Sequence, residues 1–409
     1  MQDGPAVPSI GPQNPFFAGP GLRPAYLAGR LHEQRAFEQV LNHNTLTRNI
    51  LITGEAGIGK TVLLAELRAR ALEHHFLWTG SDWNQAAAVS EKDVAGRLIV
   101  DLALALVPIL HWRDDDREVG ASVFEDLHRL YNREPGSASD RLKAVLRQVA
   151  EIISAAGWRG IVVAFDEAQN LADTRERGQF PLSLICEVFA NLQRQDIGCR
   201  FHLVLAGLPT LPAHLKDTRF CTEPAFESLT LHRLSASETR QAIQKPIERS
   251  ESTLTFSETA IASITEESQG HPFLIQTICR EVFDAWLACG RTGAVPSVPI
   301  REIAAKLDLD FFAPQWNRAS ERQQTFMQVI ATLEGSEGEF SLQEITSASQ
   351  NLLRRPFTPS HAIQMLAHLS GKGLIHRNRR GAYCFAVPQL AGFIRRQAWD
   401  AAARREDGS

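Results

Sequence analysis

The sequence predicts an α/β chain: a parallel sheet wound with helices on both faces, followed by a smaller α+β domain. Three observations carry this reading. The glycine-rich stretch "GEAGIGKT", Gly54 to Thr61, lies between a run of strand length and a run with helical spacing. About a hundred residues later, the apolar run in "RGIVVAFDEAQN" ends in two adjacent carboxylates. Near the C-terminus, three helical segments precede a basic hairpin.

The first strand is "RNILIT" and the helix after the loop is "VLLAELRARALEHH". Gly54, Gly59, Lys60 and Thr61 have the spacing of a phosphate-binding loop, and the strand and helix supply the context that the motif requires. Glycines let successive backbone N–H groups turn towards phosphate oxygens, while the helix from Lys60 aims its positive dipole end at the same charge. The loop residues Gly54, Glu55, Ala56, Gly57, Ile58, Gly59, Lys60, Thr61 and Val62 are therefore the nucleotide-binding candidates. Lys60 is expected at the β- and γ-phosphates of ATP and Thr61 on Mg²⁺.

The second strand of interest ends at Asp166 and Glu167. A fully apolar run suits a buried parallel strand, and ligands of open α/β sheets sit at the carboxyl ends of strands. Asp166 is expected to complete the Mg²⁺ shell through water, and Glu167 to polarise the attacking water. A water-activating Glu beside the magnesium Asp favours a hydrolase over a small-molecule kinase. A third run, "CRFHLVLAGLP" from Cys199 to Pro209, reads as the next strand, and alternation of strands and helices from about Ile50 to Leu231 gives the doubly wound sheet. The stretch from Ser81 to Ala156 has mostly helical periodicity. Trp78 and Trp83 read as packing aromatics at a strand end.

In the C-terminal domain, Ser320 with Gln323 and Ser341 with Glu344 form capping boxes, each opening a helix. "TPSHAIQMLAHLSGKG" is a third helix, with Ile363, Leu366 and Leu369 as its apolar stripe and His361, Gln364 and His368 off it. "LIHRNRRGAYCFAVP" alternates as a hairpin with Gly381 at the turn, and three helices with a basic hairpin make a winged helix. In a DNA-binding version the third helix enters the major groove, and Arg377, Arg379 and Arg380 contact phosphate.

The chain has 409 residues and a formal charge of -4, enough for two or three domains and too little positive charge to coat nucleic acid over its whole surface. A local basic face remains, because Arg354, Arg355, Lys372, Arg377, Arg379, Arg380, Arg395 and Arg396 fall in a stretch with almost no acids. "RDDDRE" from Arg113 reads as a solvated loop. No leader or membrane-spanning segment is evident, so a cytoplasmic location is expected. The six cysteines show no metal-ligand spacing and are expected to be buried thiols. His271 and His376 read as structural polar residues, not metal ligands. The Pro- and Gly-rich start is a poor candidate for regular structure, although Phe16 and Phe17 are expected to pack on the nucleotide module.

Taken together, these residues resemble the extended AAA+ class of P-loop ATPases, in particular bacterial ATP-binding proteins of the origin-recognition and signal-transducing branches. "YLAGRLHEQRAFEQVL" is similar to the motif that opens this class, which implies that Gly29 and Arg30 lie near adenine and ribose. "LHRLSASETRQAIQKPI" and "ITEESQGHPFLIQTICREVF" resemble its helical lid, with Gly270, His271 and Pro272 at the Gly-x-Pro whose proline packs on the nucleotide. "LDLDFF", "KGLIHR" and "YCFAVPQLAGFIRR" resemble its winged helix.

The resemblance implies a P-loop NTPase parallel sheet with a helical lid, followed by an α+β winged-helix domain. The expected boundaries are 1–22 for the N-terminal segment, 23–232 for the ATPase domain, 233–297 for the lid, 298–400 for a linker helix and winged helix, and 401–409 for a tail. Two departures matter. Pro224 and Ala225 stand where an arginine is usual, leaving Arg219 as the nearest arginine-finger candidate, and the third run ends in Ala206, Gly207 and Leu208 in place of the usual Asn or Thr.

The expected function is a slow, Mg²⁺-dependent ATPase in which nucleotide state controls engagement of double-stranded DNA or a partner protein. A nucleotide-dependent oligomer is compatible with this, and a membrane partner is not. The alternative is an assembly module that holds ATP or ADP without binding DNA.

Overall fold

The computed structural model describes residues 14–17, 19, 22–42, 48–83, 89–110, 116–195, 198–218, 226–250, 252–290, 292–336, 338–377, 382–387 and 389–406. The chain divides into two compact units: one of Leu31–Glu55 and Leu63–Leu231, the other of Met1–Arg30, Ala56–Val62 and His232–Ser409.

The first unit is the sheet unit. Its elements run α1 (Leu31–Asn42), β1 (Asn49–Thr53), α2 (Lys60–Glu73, whose first turn belongs to the other unit), β2 (Phe76–Asp82), α3 (Glu91–Leu110), α4 (Asp116–Arg133), α5 (Ala138–Ala155), β3 (Gly160–Asp166), α6 (Pro181–Leu192), β4 (Arg200–Gly207), α7 (Leu211–Lys216) and β5 (Phe226–Thr230). The strand order is β2-β3-β4-β1-β5, and every pairing is parallel.

All residues of β1 and β3 are buried, as a parallel sheet covered on both faces requires. Because β4 lies between β1 and β3, the carboxyl ends of these three strands share one edge. Thr53 is in register with Gly207, and Phe165 with Leu205. Trp78 and Trp83 are packing residues as expected, set edge to face against Phe37 and Phe165. A capping box at Ser137 and Asp140, which sequence reading passed over, opens α5. In "RDDDRE", residues 113–115 lie outside the described residues, and α4 begins at Asp116.

The second unit continues with α8 (Ala236–Arg249), β6 (Leu254–Phe256), α9 (Glu258–Ser268), α10 (Pro272–Ala288), β7 (Gly293–Val295), α11 (Ile300–Leu307), a π-helical turn (Asp308–Phe312), α12 (Ala313–Asn317), α13 (Glu321–Ala331), α14 (Leu342–Leu352), α15 (Pro359–Gly371), β8 (Ile375–Arg377), β9 (Tyr383–Phe385) and α16 (Gln389–Glu406). The boxes at Ser320 and Ser341 form as read from the sequence, each contributing about 1 kcal/mol to its helix. β8 and β9 pair antiparallel, and Phe340 adds a bridge to Tyr383, so α13 to β9 form three helices and a hairpin.

One apolar core runs through this unit, from Ile243, Ile278 and Phe283 to Phe326, Leu366, Phe385 and Ile394. Helices α8 to α10 and the segment from α13 to α16 are thus joined by continuous packing.

Four expectations need correction here. The inward stripe of α15 is Ala362, Leu366 and Leu369, whereas Ile363 is 51% exposed. Helical phase explains this: 362, 366 and 369 follow the i, i+4, i+7 spacing that keeps one face inward. Phe16 packs edge to face on Phe256 and Phe283 of the second unit, held there by Asn14 donating to the Arg280 carbonyl and Asp284, while Phe17 is exposed. Cys289 is exposed and Cys384 half-buried, while Cys186, Cys199 and Cys279 are buried, and Cys221 lies outside the described residues. α16 also runs on to Glu406, since its Ala- and Arg-rich end has high helix propensity. Among the described residues no helix is long and apolar enough to cross a membrane.

Candidate nucleotide site

Leu51 and Ile52 commit β1 to the sheet core, and the chain then leaves the sheet edge at Gly54, whose N–H donates to the Gly207 carbonyl at 3.3 Å. Gly57 and Gly59 take positive φ of 75° and 98°, conformations that side chains resist. A Cβ on Gly57 would also lie 2.8 Å from Cε1 of His271. The following residues, Lys60, Thr61 and Val62, open α2. Successive N–H groups at a glycine-rich bend before a helix N-terminus form a nest for anionic oxygens.

Arg30 bonds the loop itself, and Gly29 packs beside the start of α8. The buried Arg30 guanidinium donates from Nη2 to the Ile58 carbonyl at 3.1 Å and to the His232 carbonyl at 2.9 Å, which fixes the loop's outer bend. Gly29, with φ of 67°, sits against Leu234 and the carboxylate of Glu238.

His271 is the N-cap of α10 and Pro272 its first residue. The turn before it needs Gly270, where φ is 74° and a Cβ would lie 2.1 Å from the Leu234 carbonyl oxygen. The imidazole is fully buried, and its Nε2 lies 2.9 Å from the Ala56 carbonyl oxygen. Burial first, then the charges of Arg233 and Lys60, push its pKa down to about 4, against the opposing pull of the Ala56 bond. The neutral ring therefore donates through Nε2–H, leaving Nδ1 without a protein partner.

At the end of β3, Asp166 is buried, and its Oδ1 accepts from the N–H of Glu167 at 2.9 Å. Glu167 is left-handed, with φ of 52°, an uncommon conformation for a side-chain-bearing residue. Gln169 donates from Nε2 to Oε2 of Glu167, and its Oε1 accepts from the N–H of Leu208 at 3.0 Å.

Two groups of candidates can thus be located: Ala56 to Val62 with Arg30 and His271 in one unit, and Gly54 and Glu55 with Asp166 and Glu167 in the other. A third, Arg379 and Arg380, lies outside the described residues, as does Arg219, while the backbone of Arg377 ends β8. Sequence reading treated His271 as a structural residue without its loop partner, and it missed Gln169. The third position after Asp166 carries an amide, but only the left-handed turn at Glu167 reveals its partner.

No curated protein matches the chain. Residues 26–196, which include the phosphate loop and the acid pair, match the family described as AAA ATPase domain. Residues 309–394 match a domain of unknown function (DUF8462). Among solved structures, the chain is similar to the ORC2 protein of Aeropyrum pernix in its ADPNP-ADP complexes, with 16% identity, a TM-score of 0.53 and coverage of 94% of this chain and 98% of that one. The ADP form of the same protein gives 15% identity, a TM-score of 0.50 and coverage of 93% and 97%. At these identities the likeness is one of fold: the chain shares the fold of these ORC2 structures.

Thr61 in the second unit offers a hydroxyl and Asp166 in the first a carboxylate, each an oxygen donor of the kind that Mg²⁺ takes beside waters and substrate phosphates.

Proposed function

We propose that the protein is a slow, Mg²⁺-dependent ATPase whose nucleotide state governs engagement of duplex DNA by its C-terminal winged helix. In this reading Gly54 to Val62 hold the phosphates, with Lys60 neutralising charge on the β- and γ-phosphates. Gly29, Arg30 and Pro272 line the nucleoside end. Thr61 and Asp166 would hold Mg²⁺, which screens the phosphate charge when bound. Glu167 accepts the proton of the water that attacks the γ-phosphorus, the bond to the bridging oxygen breaks, and ADP leaves as the anion.

The DNA half rests chiefly on one observation. Residues 345–399 contain eight of the chain's 43 Lys and Arg and none of its 47 Asp and Glu. Arg395 and Arg396 are engaged internally, with Ser336 and Asp308, but Arg354 and Arg355 are exposed beside α15. Gln364 and His368 are exposed on α15 itself. Such a face suits a polyanion. Two features support coupling to nucleotide: His271 bonds the phosphate loop, and the core that begins around α10 continues into the winged helix.

The test is duplex binding, measured by fluorescence anisotropy over a series of salt concentrations. Replacing Arg377, Arg379 and Arg380 with Ala should flatten the salt dependence by up to about three units of log–log slope. A parent protein that binds no duplex with ATP, ADP or no nucleotide overturns the DNA half. A nucleotide-holding switch acting on a partner protein then becomes the better reading.

A further inference from the structure

We infer that Gln169 is a positioning residue for ATP hydrolysis, linking the carboxylate of Glu167 to the backbone at the tip of β4. The inference rests on the proposed role of Glu167 as the group that polarises water.

The amide uses both of its functions. Nε2 donates to Oε2 of Glu167 while Oε1 accepts from the Leu208 N–H at 3.0 Å. A carboxylate at position 169 offers no donor when ionised, a lysine has no acceptor, and an alanine has neither. The left-handed turn at Glu167 brings the side chains at 167 and 169 together, and an unfavourable backbone conformation is retained where surrounding contacts over-determine it.

The facing strand is shaped for the same amide. A Cβ on Gly207 would lie 2.5 Å from Gln169 Oε1 and 2.9 Å from a Leu211 methyl carbon, so position 207 admits no side chain while the bridge stands. This explains why Ala206, Gly207 and Leu208 can lack the polar side chain that this class usually carries at the strand tip. The polar contact comes from the end of β3 instead.

The link also reaches the phosphate loop's first residue. The Gly207 carbonyl accepts from Gly54 N–H at 3.3 Å, and the next residue, Leu208, donates to Gln169. Two consecutive backbone positions thus join Gly54 to the amide that bonds Glu167. A base held by a third group is the usual arrangement of a directed proton acceptor.

The experiment is steady-state ATP hydrolysis by the full chain, with kcat and KM determined separately, for the parent, Gln169→Ala, Gln169→Glu, Gly207→Ala and Glu167→Gln. Gln169→Ala should lower kcat by about tenfold to a hundredfold with KM nearly unchanged, because the carboxylate is misplaced and phosphate binding is not. Gln169→Glu is close to isosteric and keeps the acceptor for Leu208. It offers Glu167 no donor, so kcat should fall as in Gln169→Ala with KM nearly unchanged. Gly207→Ala, which displaces the amide without altering it, should lower kcat as Gln169→Ala does.

An inactive Glu167→Gln alongside parent-like kcat in Gln169→Ala and Gln169→Glu would overturn the role of Gln169 alone. Parent-rate hydrolysis by Glu167→Gln would overturn the role of Glu167 and the inference with it.

Discussion

Nε2 of His271, the residue that caps α10, donates to the carbonyl oxygen of Ala56 in the phosphate loop across 2.9 Å. A helix two hundred residues downstream therefore reports directly on the loop's backbone. The contact also fixes the tautomer, since a carbonyl can only accept.

Removing that contact should weaken nucleotide binding. His271→Ala deletes a buried hydrogen bond and leaves the Ala56 carbonyl without its imidazole donor, which corresponds to about 1–2 kcal/mol, or roughly tenfold in affinity. Calorimetric titration with ATP and with ADP checks this. Parent-like affinity in a folded His271→Ala would show that the bond does not shape the loop for nucleotide.

Acid should destabilise both units. His202 on β4 is buried neutral, its pKa pushed down to about 4 mainly by burial, as is that of His271. For each, the folded pKa lies below the unfolded value of 6.5, so the unfolded chain binds more protons between those values. Stability is then fully present above pH 6.5 and falls as pH drops towards 4, by roughly 3 kcal/mol per histidine at most. Denaturant melts at pH 7.5 and 4.5 test this, and His202→Gln should flatten the sheet unit's share. A pH-independent midpoint across that range would contradict it.

Gly270→Ala should be among the most damaging single-methyl additions. The new Cβ would meet the Leu234 carbonyl oxygen at 2.1 Å with φ at 74°, and the Leu234 N–H to Gly270 carbonyl bond at 2.9 Å leaves little room to shift. A loss of about 2 kcal/mol or more is expected. Gly290→Ala, also at positive φ but with open space around it, should cost about 1 kcal/mol. Equal losses would mean that φ alone matters and the Leu234 contact does not.

Much of this was legible in the sequence because its determinants are local. The phosphate loop, the acid pair, the buried β3 and the boxes at Ser320 and Ser341 each depend on residues a few positions apart. The face of α15 was misassigned because Ile363 is as apolar as Leu366, and only the tertiary packing of Ala362 decides the phase. His271 with Ala56, Arg30 with Ile58 and Gln169 with Leu208 join segments 215, 28 and 39 residues apart, and no local pattern encodes such pairs.

Duplex binding by Glu167→Gln, compared in saturating Mg²⁺-ATP, in ADP and without nucleotide, tests the nucleotide-controlled switch most directly. This variant should bind ATP without consuming it, because the amide keeps the shape of the carboxylate but accepts no proton. Fluorescence anisotropy at one fixed, low salt concentration gives the three affinities. The expected result is an ATP-bound Kd that differs from the ADP-bound Kd by about tenfold or more, a coupling of roughly 1.4 kcal/mol. The same Kd in all three conditions, or no duplex binding in any of them, would contradict the proposed function.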